Sequence, residues 1–159
     1  MSKENNVFYW LPCSVVFVST VHEDQKDIMT ATAMFVSEKE PLLVISVAKD
    51  HLTEKLITKS GKFTLVIAGA DQQKLAMQVG SAKGEDIDKF ERFAIQASPG
   101  AGSPALIPQG AAAWMECELE SSEEIKGYRL FMGRVIEQHD SGKPPLVWHQ
   151  NNFFKLRPA

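Results

Sequence analysis

Six polar side chains of this chain combine residue types that bind anions with positions at the ends of predicted strands. They are Thr30, Thr32, Ser46, Lys49, His51 and Thr53. The last three lie at the start of a predicted helix, where free N–H groups, hydroxyls and a cation can together bind a single phosphate. Ser and Thr also occur in strands for packing reasons, and Thr53 is suited to cap the helix. The pattern indicates a phosphate site and leaves a structural role open.

Motifs of the commoner enzyme classes are missing from the sequence. It contains no GxGxxG loop, P-loop, GxSxG turn or HExxH helix. Its four histidines are scattered, and its two cysteines, Cys13 and Cys117, form no CxxC pair. Cys117 lies in an alternating run and is expected to be a small buried hydrophobe, whereas Cys13 could be reactive. We predict no metal site.

The elements that must position these residues are mostly strands. Seven short segments have strand character: Val15–His22, Thr30–Val36, Leu42–Ala48, Phe63–Ile67, Ala112–Leu119, Tyr128–Glu137 and Phe153–Leu156. Val15–Val18 and Leu42–Ile45 are apolar at successive positions, so both faces of those strands should be covered. This number of short strands predicts a barrel or a sandwich.

Capping residues predict three short connecting helices. One begins at the N-cap Thr53 and ends at Gly61, one runs from an Asp71 cap to Val79 and stops at Gly80, and one is capped by Asp88 with Glu91 at N3. The segment 97–108 is rich in Pro, Gly and Ser and predicts an irregular crossing or a lid. Too few residues lie on either side for two domains, so residues 1–159 are expected to form one.

Composition limits the partners. The 159 residues carry a net charge of -3, which gives no basic surplus for binding a run of phosphates, so nucleic acid is not expected. The first residues, Met1–Asn6, contain no apolar signal core, and no run of 18 apolar residues occurs. We expect a cytoplasmic protein that does not enter a membrane.

Short segments follow one another in a fixed order along nearly the whole chain. The first half contributes Val16–Thr20, Met29–Thr32, Pro41–Ser46, Thr53–Ile57 and Gly61–Phe63, and the second half contributes Asp88–Phe90, Ala113–Cys117, Gly127–Gly133 and Pro145–Trp148. Together they resemble flavin reductase-like, FMN-binding split-barrel proteins. Each segment is nonspecific by itself. Their common order along the chain carries the resemblance.

The resemblance implies a mainly β fold, a Greek-key split β-barrel that forms a homodimer and holds FMN, or alternatively FAD, near the subunit interface. It assigns flavin and phosphate contacts to Thr30, Ala31 and Thr32. The stretch after the third strand would supply Ser46, Val47, Ala48, Lys49, His51 and Thr53. Lys83 or Lys89 could add positive charge near the flavin, although either could equally be a solvated loop charge.

The activity that this resemblance implies is NAD(P)H-dependent flavin reduction, in which hydride passes from the nicotinamide to flavin N5. Stacking the two rings is the main task, and no acid or base is needed for it. His149 is the candidate contact to nicotinamide or substrate, and an electron-accepting partner protein could receive the product. The alternatives are an FMN-carrying electron-transfer protein without a nicotinamide site and a flavin-free binding module.

Overall fold

The computed structural model describes residues 6–159, in which strands are the predominant regular structure. The strands are β1 Cys13–Ser14, β2 Val16–His22, β3 Gln25–Ala31, β4 Ala33–Ser37, β5 Leu42–Ala48, β6 Lys62–Ile67, β7 Ala97–Pro99, β8 Leu106–Pro108, β9 Ala113–Ile125, β10 Tyr128–Asp140, β11 Leu146–His149 and β12 Asn152–Lys155. The helices are α1 Val7–Trp10, α2 Leu52–Ser60, α3 Gln73–Ser81 and α4 Lys89–Arg92. The expected mainly β fold with short connecting helices is confirmed. The prediction about a signal core falls largely on Met1–Asn5, outside the described residues.

The main sheet closes on itself because a single residue joins its two edge strands. Its seven strands are antiparallel, in the order β3-β2-β6-β9-β10-β5-β4. β3 ends at Ala31 and β4 begins at Ala33, so the two Cα atoms can be at most about 7.6 Å apart. A flat sheet with strands about 4.8 Å apart would put these edges about 29 Å apart. The sheet therefore curls into a barrel that is split at Thr32, with the non-sequential strand order of a Greek key.

Two apolar clusters lie on the two faces of this barrel. The inner cluster draws on all seven strands and includes Val16, Val18, Ile45, Phe63 and Phe131. The outer cluster includes Phe17, Ile28 and Val66 and is covered by α3 and α4 through Ala76, Val79 and Phe90. β2 is therefore buried on both faces, as its sequence predicts. β5 fulfils that prediction only in part, because Leu42 and Val44 are half-buried, while Leu43 and Ile45 are buried.

Two further sheets flank the barrel. β1, β11 and β12 form a three-stranded sheet, and β7 pairs with β8. The segment 97–108, predicted to be irregular, thus contains two short strands. Its loop is held against β9 by the buried Glu116 carboxylate, which accepts a hydrogen bond from the Gly102 N–H at 2.9 Å. Among residues 6–159 no helix is long and apolar enough to cross a membrane.

One strand prediction needs correction, and the hairpin partner of the terminal strand was not predicted. The predicted strand Thr30–Val36 is two strands, because the chain turns at Thr32 from one sheet edge to the other. β3 begins at Gln25, and its hairpin with β2 turns at Glu23, whose φ is 54°. The terminal strand is one arm of a hairpin with β11, whose turn at Gln150 and Asn151 has φ values of 49° and 62°. Positive φ at residues other than glycine leaves little signal in a sequence.

β9 and β10 are longer than their apolar patterns predict. Each has 13 residues, and they pair along almost their whole length around a turn at Lys126 and Gly127. Both turn residues have positive φ, 51° and 83°, as a type I′ hairpin turn requires. The predicted strand ended at Leu119 because the following residues are charged and exposed.

The helix ends agree with the sequence in two places and differ in three. Gly61 ends α2 in the left-handed conformation, and the Asp88 side chain caps α4 by accepting from the Glu91 N–H at 3.2 Å. Thr53 is not the N-cap of α2: His51 holds that position without a side-chain cap bond. Asp71 is not the cap of α3 either, because Gln72 holds that position. α3 also continues through Gly80 to Ser81.

A glycine in β10 makes room for an aromatic ring inside the barrel. A Cβ atom at Gly133 would lie 2.5 Å from Cζ of Phe63 and 3.0 Å from Cβ of Cys117. Phe63 is 1% exposed, so its ring has no open space into which it could move. The pairing of β9 and β10 also shifts register between Met132 and Gly133. Gly133 thus allows the close approach of β6 to β10 across the barrel.

Gly133→Ala should lower the free energy of unfolding by about 1–3 kcal/mol, because the added methyl group collides with the Phe63 ring. Urea denaturation followed by circular dichroism measures this. Phe63→Leu in the same protein removes the ring atoms of the clash, so the double variant should be less destabilised than the sum of the single changes. Strict additivity would contradict the contact.

The two cysteines should differ sharply in reactivity. Burial raises the pKa of the Cys117 thiol to about 12, and the charge of Glu116 adds to the shift. At pH 8 this thiol is protonated and shielded, whereas Cys13 is only half-buried. An aromatic disulfide reagent should therefore label one thiol of the native protein. The Cys13→Ser variant should react only after unfolding, and labelling of its native form would refute the buried position of Cys117.

Candidate phosphate-binding site

A small cavity lies where the outer edge of β3 meets the N-terminus of α2, the C-terminal end of α3 and the loop before α4. Its volume is about 60 Å³, room for about two water molecules. The lining residues are Asp27, Met29, Thr30, His51, Leu52, Thr53, Val79, Gly80, Ala82, Lys83, Gly84, Glu85 and Lys89. A cavity of this size suits a small anion and excludes a tricyclic ring.

The N-terminus of α2 gives the cavity its anion-binding character. The helix begins at Leu52, and the Lys55 N–H donates to the His51 carbonyl at 3.1 Å. The N–H groups of the preceding turn have no acceptor within the helix, and His51 supplies no side-chain cap. These groups carry the partial positive charge of the helix dipole and border the cavity.

Two lysines line the cavity, and they differ in what they can offer a ligand. Lys89 is 4% exposed, and its Nζ lies 3.2 Å from Oδ1 of Asp27 and donates to the Ile28 carbonyl at 2.7 Å. Lys83 is exposed, and within residues 6–159 its side chain has no ion-pair partner. Lys83 is therefore the lysine whose charge is available to an anion.

Five of the residues singled out from the sequence meet at this cavity: Thr30, His51, Thr53, Lys83 and Lys89. Two of them already use their hydroxyl protons. Thr30 donates to the Ala76 carbonyl at 2.7 Å, and Thr53, which is 1% exposed, donates to Oδ2 of Asp27 at 2.6 Å. Each hydroxyl can still accept a hydrogen bond, but neither can donate another without breaking its present one.

The remaining predicted residues lie outside the cavity: Ala31, Thr32, Ser46, Val47, Ala48, Lys49 and His149. Thr32 and Ser46 are exposed, and Val47 is buried in the barrel. The Lys49 ammonium donates to the Glu124 carboxylate at 2.9 Å. That hydrogen bond raises the pKa of Lys49 and lowers the pKa of Glu124. Lys49 is thus engaged in an exposed ion pair on the barrel surface.

His149 lies on β11 in the three-stranded sheet, not beside the cavity. It is half-buried, and its ring centroid is 6.4 Å from that of Phe154. The single chain therefore does not bring His149 together with the residues around α2.

Asp27 is the residue of the cavity that the sequence analysis missed. It is 3% exposed, and a Cβ atom at Gly84 would lie 2.5 Å from its Oδ1, so the loop after α3 closes directly over the carboxylate. The one available signal was an acidic residue beside Ile28 and Met29, inside an apolar strand. Placing the start of the strand at Thr30 hid that signal.

These features define a class of protein. This chain, a split barrel with a cavity at the edge of β3, matches a family model described as the flavin reductase like domain over residues 8–157. The chain belongs to the flavin reductase-like domain family. The fold expected from the resemblance is confirmed.

Individual relatives support the assignment. NADH:FAD oxidoreductase SgcE6 of Streptomyces globisporus superimposes with a TM-score of 0.88 and 25% identity over 98% of this chain and 93% of that chain. SgcE6 has also been solved in complex with NAD and FAD fragments. BorF, the flavin reductase component of a bacterial two-component tryptophan halogenase, gives a TM-score of 0.83 and 25% identity over 96% of both chains. The uncharacterized protein YddH of Escherichia coli is 34% identical over 116 residues, which are 70% of this chain and 61% of YddH.

The donors around the cavity fit the phosphate of a flavin nucleotide. Lys83→Ala should weaken FMN binding about tenfold, the smallest loss expected for one charge-assisted hydrogen bond. Riboflavin lacks the phosphate, so its affinity should not change. Lys49→Ala removes a lysine outside the cavity and should affect neither flavin. Titration of flavin fluorescence measures both affinities, and equal losses for FMN and riboflavin in Lys83→Ala would contradict the assignment.

Proposed function

We propose that this protein is an NAD(P)H-dependent flavin reductase, in which hydride passes from the nicotinamide to flavin N5. The observation that carries the proposal is the anion cavity at the N-terminus of α2, in a chain that belongs to the flavin reductase-like family. The NADH:FAD oxidoreductase activity of SgcE6 and its complex with NAD and FAD fragments support it. We further propose that residues 1–159 act as a single flavin-binding domain.

A bound flavin supplies the electron-accepting ring, and the chain binds and orients it. The phosphate would occupy the cavity, held by Lys83 and by the N–H groups of the first turn of α2. FMN, which ends in one phosphate, is the flavin we propose, with FAD as the alternative. Because the cavity is too small for the ring, the ring must lie outside it, along the Thr30–Thr32 stretch that leads from the cavity to the open corner of the barrel.

No general acid or base is required at such a site. Transfer of hydride between two rings depends on their distance and orientation. The groove proposed along Thr30–Thr32, which would hold the flavin ring, would set both. This agrees with the lack of a catalytic constellation in the sequence. His149 remains the proposed contact to the nicotinamide. Because it lies away from the cavity, this role requires a second copy of the chain that brings His149 near the flavin, or a substrate that reaches across the surface.

We propose that a second copy of the chain completes the site. β4 is one of the two edge strands of the main sheet, and its successive residues Met34 and Phe35 are 63% and 69% exposed. Because successive side chains of a strand point to opposite faces, both faces of this edge are bare and apolar. Exposed apolar edges of this kind mark interaction surfaces. β4 follows Thr32 directly, so the second copy would also wall the groove for the ring.

We also propose that the reduced flavin serves an electron-accepting partner protein. BorF, with the same fold and similar coverage, is the reductase component of a two-component system. Such a reaction needs access to the NAD(P)H pool, and we therefore propose a cytoplasmic location.

Anaerobic addition of NADH or NADPH to the protein with FMN should bleach the flavin absorbance near about 450 nm, where oxidised flavins absorb. Flavin that binds but is not reduced by either nicotinamide would favour the electron-transfer alternative. A protein that FMN does not stabilise against heat would favour a flavin-free binding module.

Light scattering at micromolar concentration should give about twice the chain mass of 17.7 kDa. Phe35→Asp places a charge on the β4 edge and should shift the mass toward that of one chain, whereas the same change at Val7, exposed on α1, should not. A monomeric wild type that still reduces flavin would refute the second copy as part of the site.

A further inference from the structure

The cavity that suits a phosphate has a carboxylate in its wall. Asp27 pairs with Lys89 at 3.2 Å, and both side chains are almost fully buried, at 3% and 4% exposure. Thr53 donates its hydroxyl proton to the other oxygen of the same carboxylate at 2.6 Å. A site built only to hold an anion tightly would keep such a carboxylate away.

The ion pair removes donors that a phosphate would otherwise use. Lys89 commits one N–H to the Ile28 carbonyl and directs its charge at Asp27, so its positive charge is compensated before a ligand arrives. Thr53 can accept a hydrogen bond but cannot donate one to a phosphate oxygen. The helix N–H groups and Lys83 are the donors that remain.

The formal charges around the cavity cancel. The charged side chains in its lining are Asp27, Lys83, Glu85 and Lys89, two acids and two bases. A dianionic phosphate therefore meets no net formal charge from these side chains, and its affinity rests on local contacts with Lys83 and the N–H groups of α2.

We propose that Asp27 sets the affinity for the flavin phosphate, holding it low enough for the flavin to exchange as a substrate instead of remaining as a prosthetic group. The inference rests on the proposed function and adds to it a residue that determines affinity. Asp27 acts through two neighbours. It compensates the positive charge of Lys89 and accepts the hydroxyl proton of Thr53, so neither is available to the ligand.

The test compares the dissociation constants of FMN and riboflavin, because effects on the ring or on the fold cancel in their ratio. Wild type should prefer FMN by about tenfold, as one charge-assisted contact allows. Asp27→Asn frees Lys89 and Thr53 for the phosphate and should raise that preference by at least about tenfold more. Lys89→Met leaves the carboxylate uncompensated and should abolish the preference.

The double variant Asp27→Asn with Lys89→Met is the matched control, because it removes both charges of the pair and should return the preference close to that of wild type. The wild-type ratio tests the proposal even if a single variant does not fold. A wild-type preference of about a hundredfold or more, or equal preferences in all variants, would overturn the role of Asp27 while leaving the proposed reductase activity intact. Wild type that binds neither flavin would overturn the proposed function itself and this inference with it.

Discussion

The closure of the barrel at Thr32 is the constraint on which the rest of the structure depends. One residue joins the two edges of a seven-stranded sheet, so the end of β3 lies near the start of β4 although the two strands do not pair with each other. The open corner leaves backbone N–H and C=O groups of β3 without a strand partner. The Lys89 ammonium satisfies one of them, the Ile28 carbonyl. The cavity is the gap between β3 and the helices that cover it. The site therefore exists because the edge of β3 has no neighbouring strand.

A buried ion pair fixes the elements around that gap. Asp27 on β3 is held by Lys89 on α4 and by Thr53 on α2, which ties three elements at one carboxylate. Such a pair stabilises a fold weakly because desolvation offsets the attraction, but it specifies geometry, since only one arrangement satisfies all the groups. The N-terminus of α2 is thereby held at a defined distance from the strand edge.

Much of the fold was predictable from local patterns, whereas the site was predictable only in part. The doubly apolar run of β2, the C-terminal Gly61 and the Asp88 cap are consequences of burial and of backbone geometry that a sequence records. The corner at Thr32 and the turn at Glu23 leave no such record, because the residue types there do not signal that the chain changes direction. The sequence analysis placed Lys49 in the phosphate site and gave Lys83 only as a possible additional charge near the flavin. Only the fold shows that Lys49 already forms an ion pair with Glu124.

The long β9–β10 ribbon has a consequence for how the chain reaches this structure. Its strands are joined by a turn of Lys126 and Gly127, so its cross-strand pairs lie close in sequence and cost little loop-closure entropy. β6 and β5 pair with its two strands from opposite sides, and both come from much earlier in the chain. Since non-local pairing is slow, the ribbon is expected to form first, as the template on which the amino-terminal half assembles during folding.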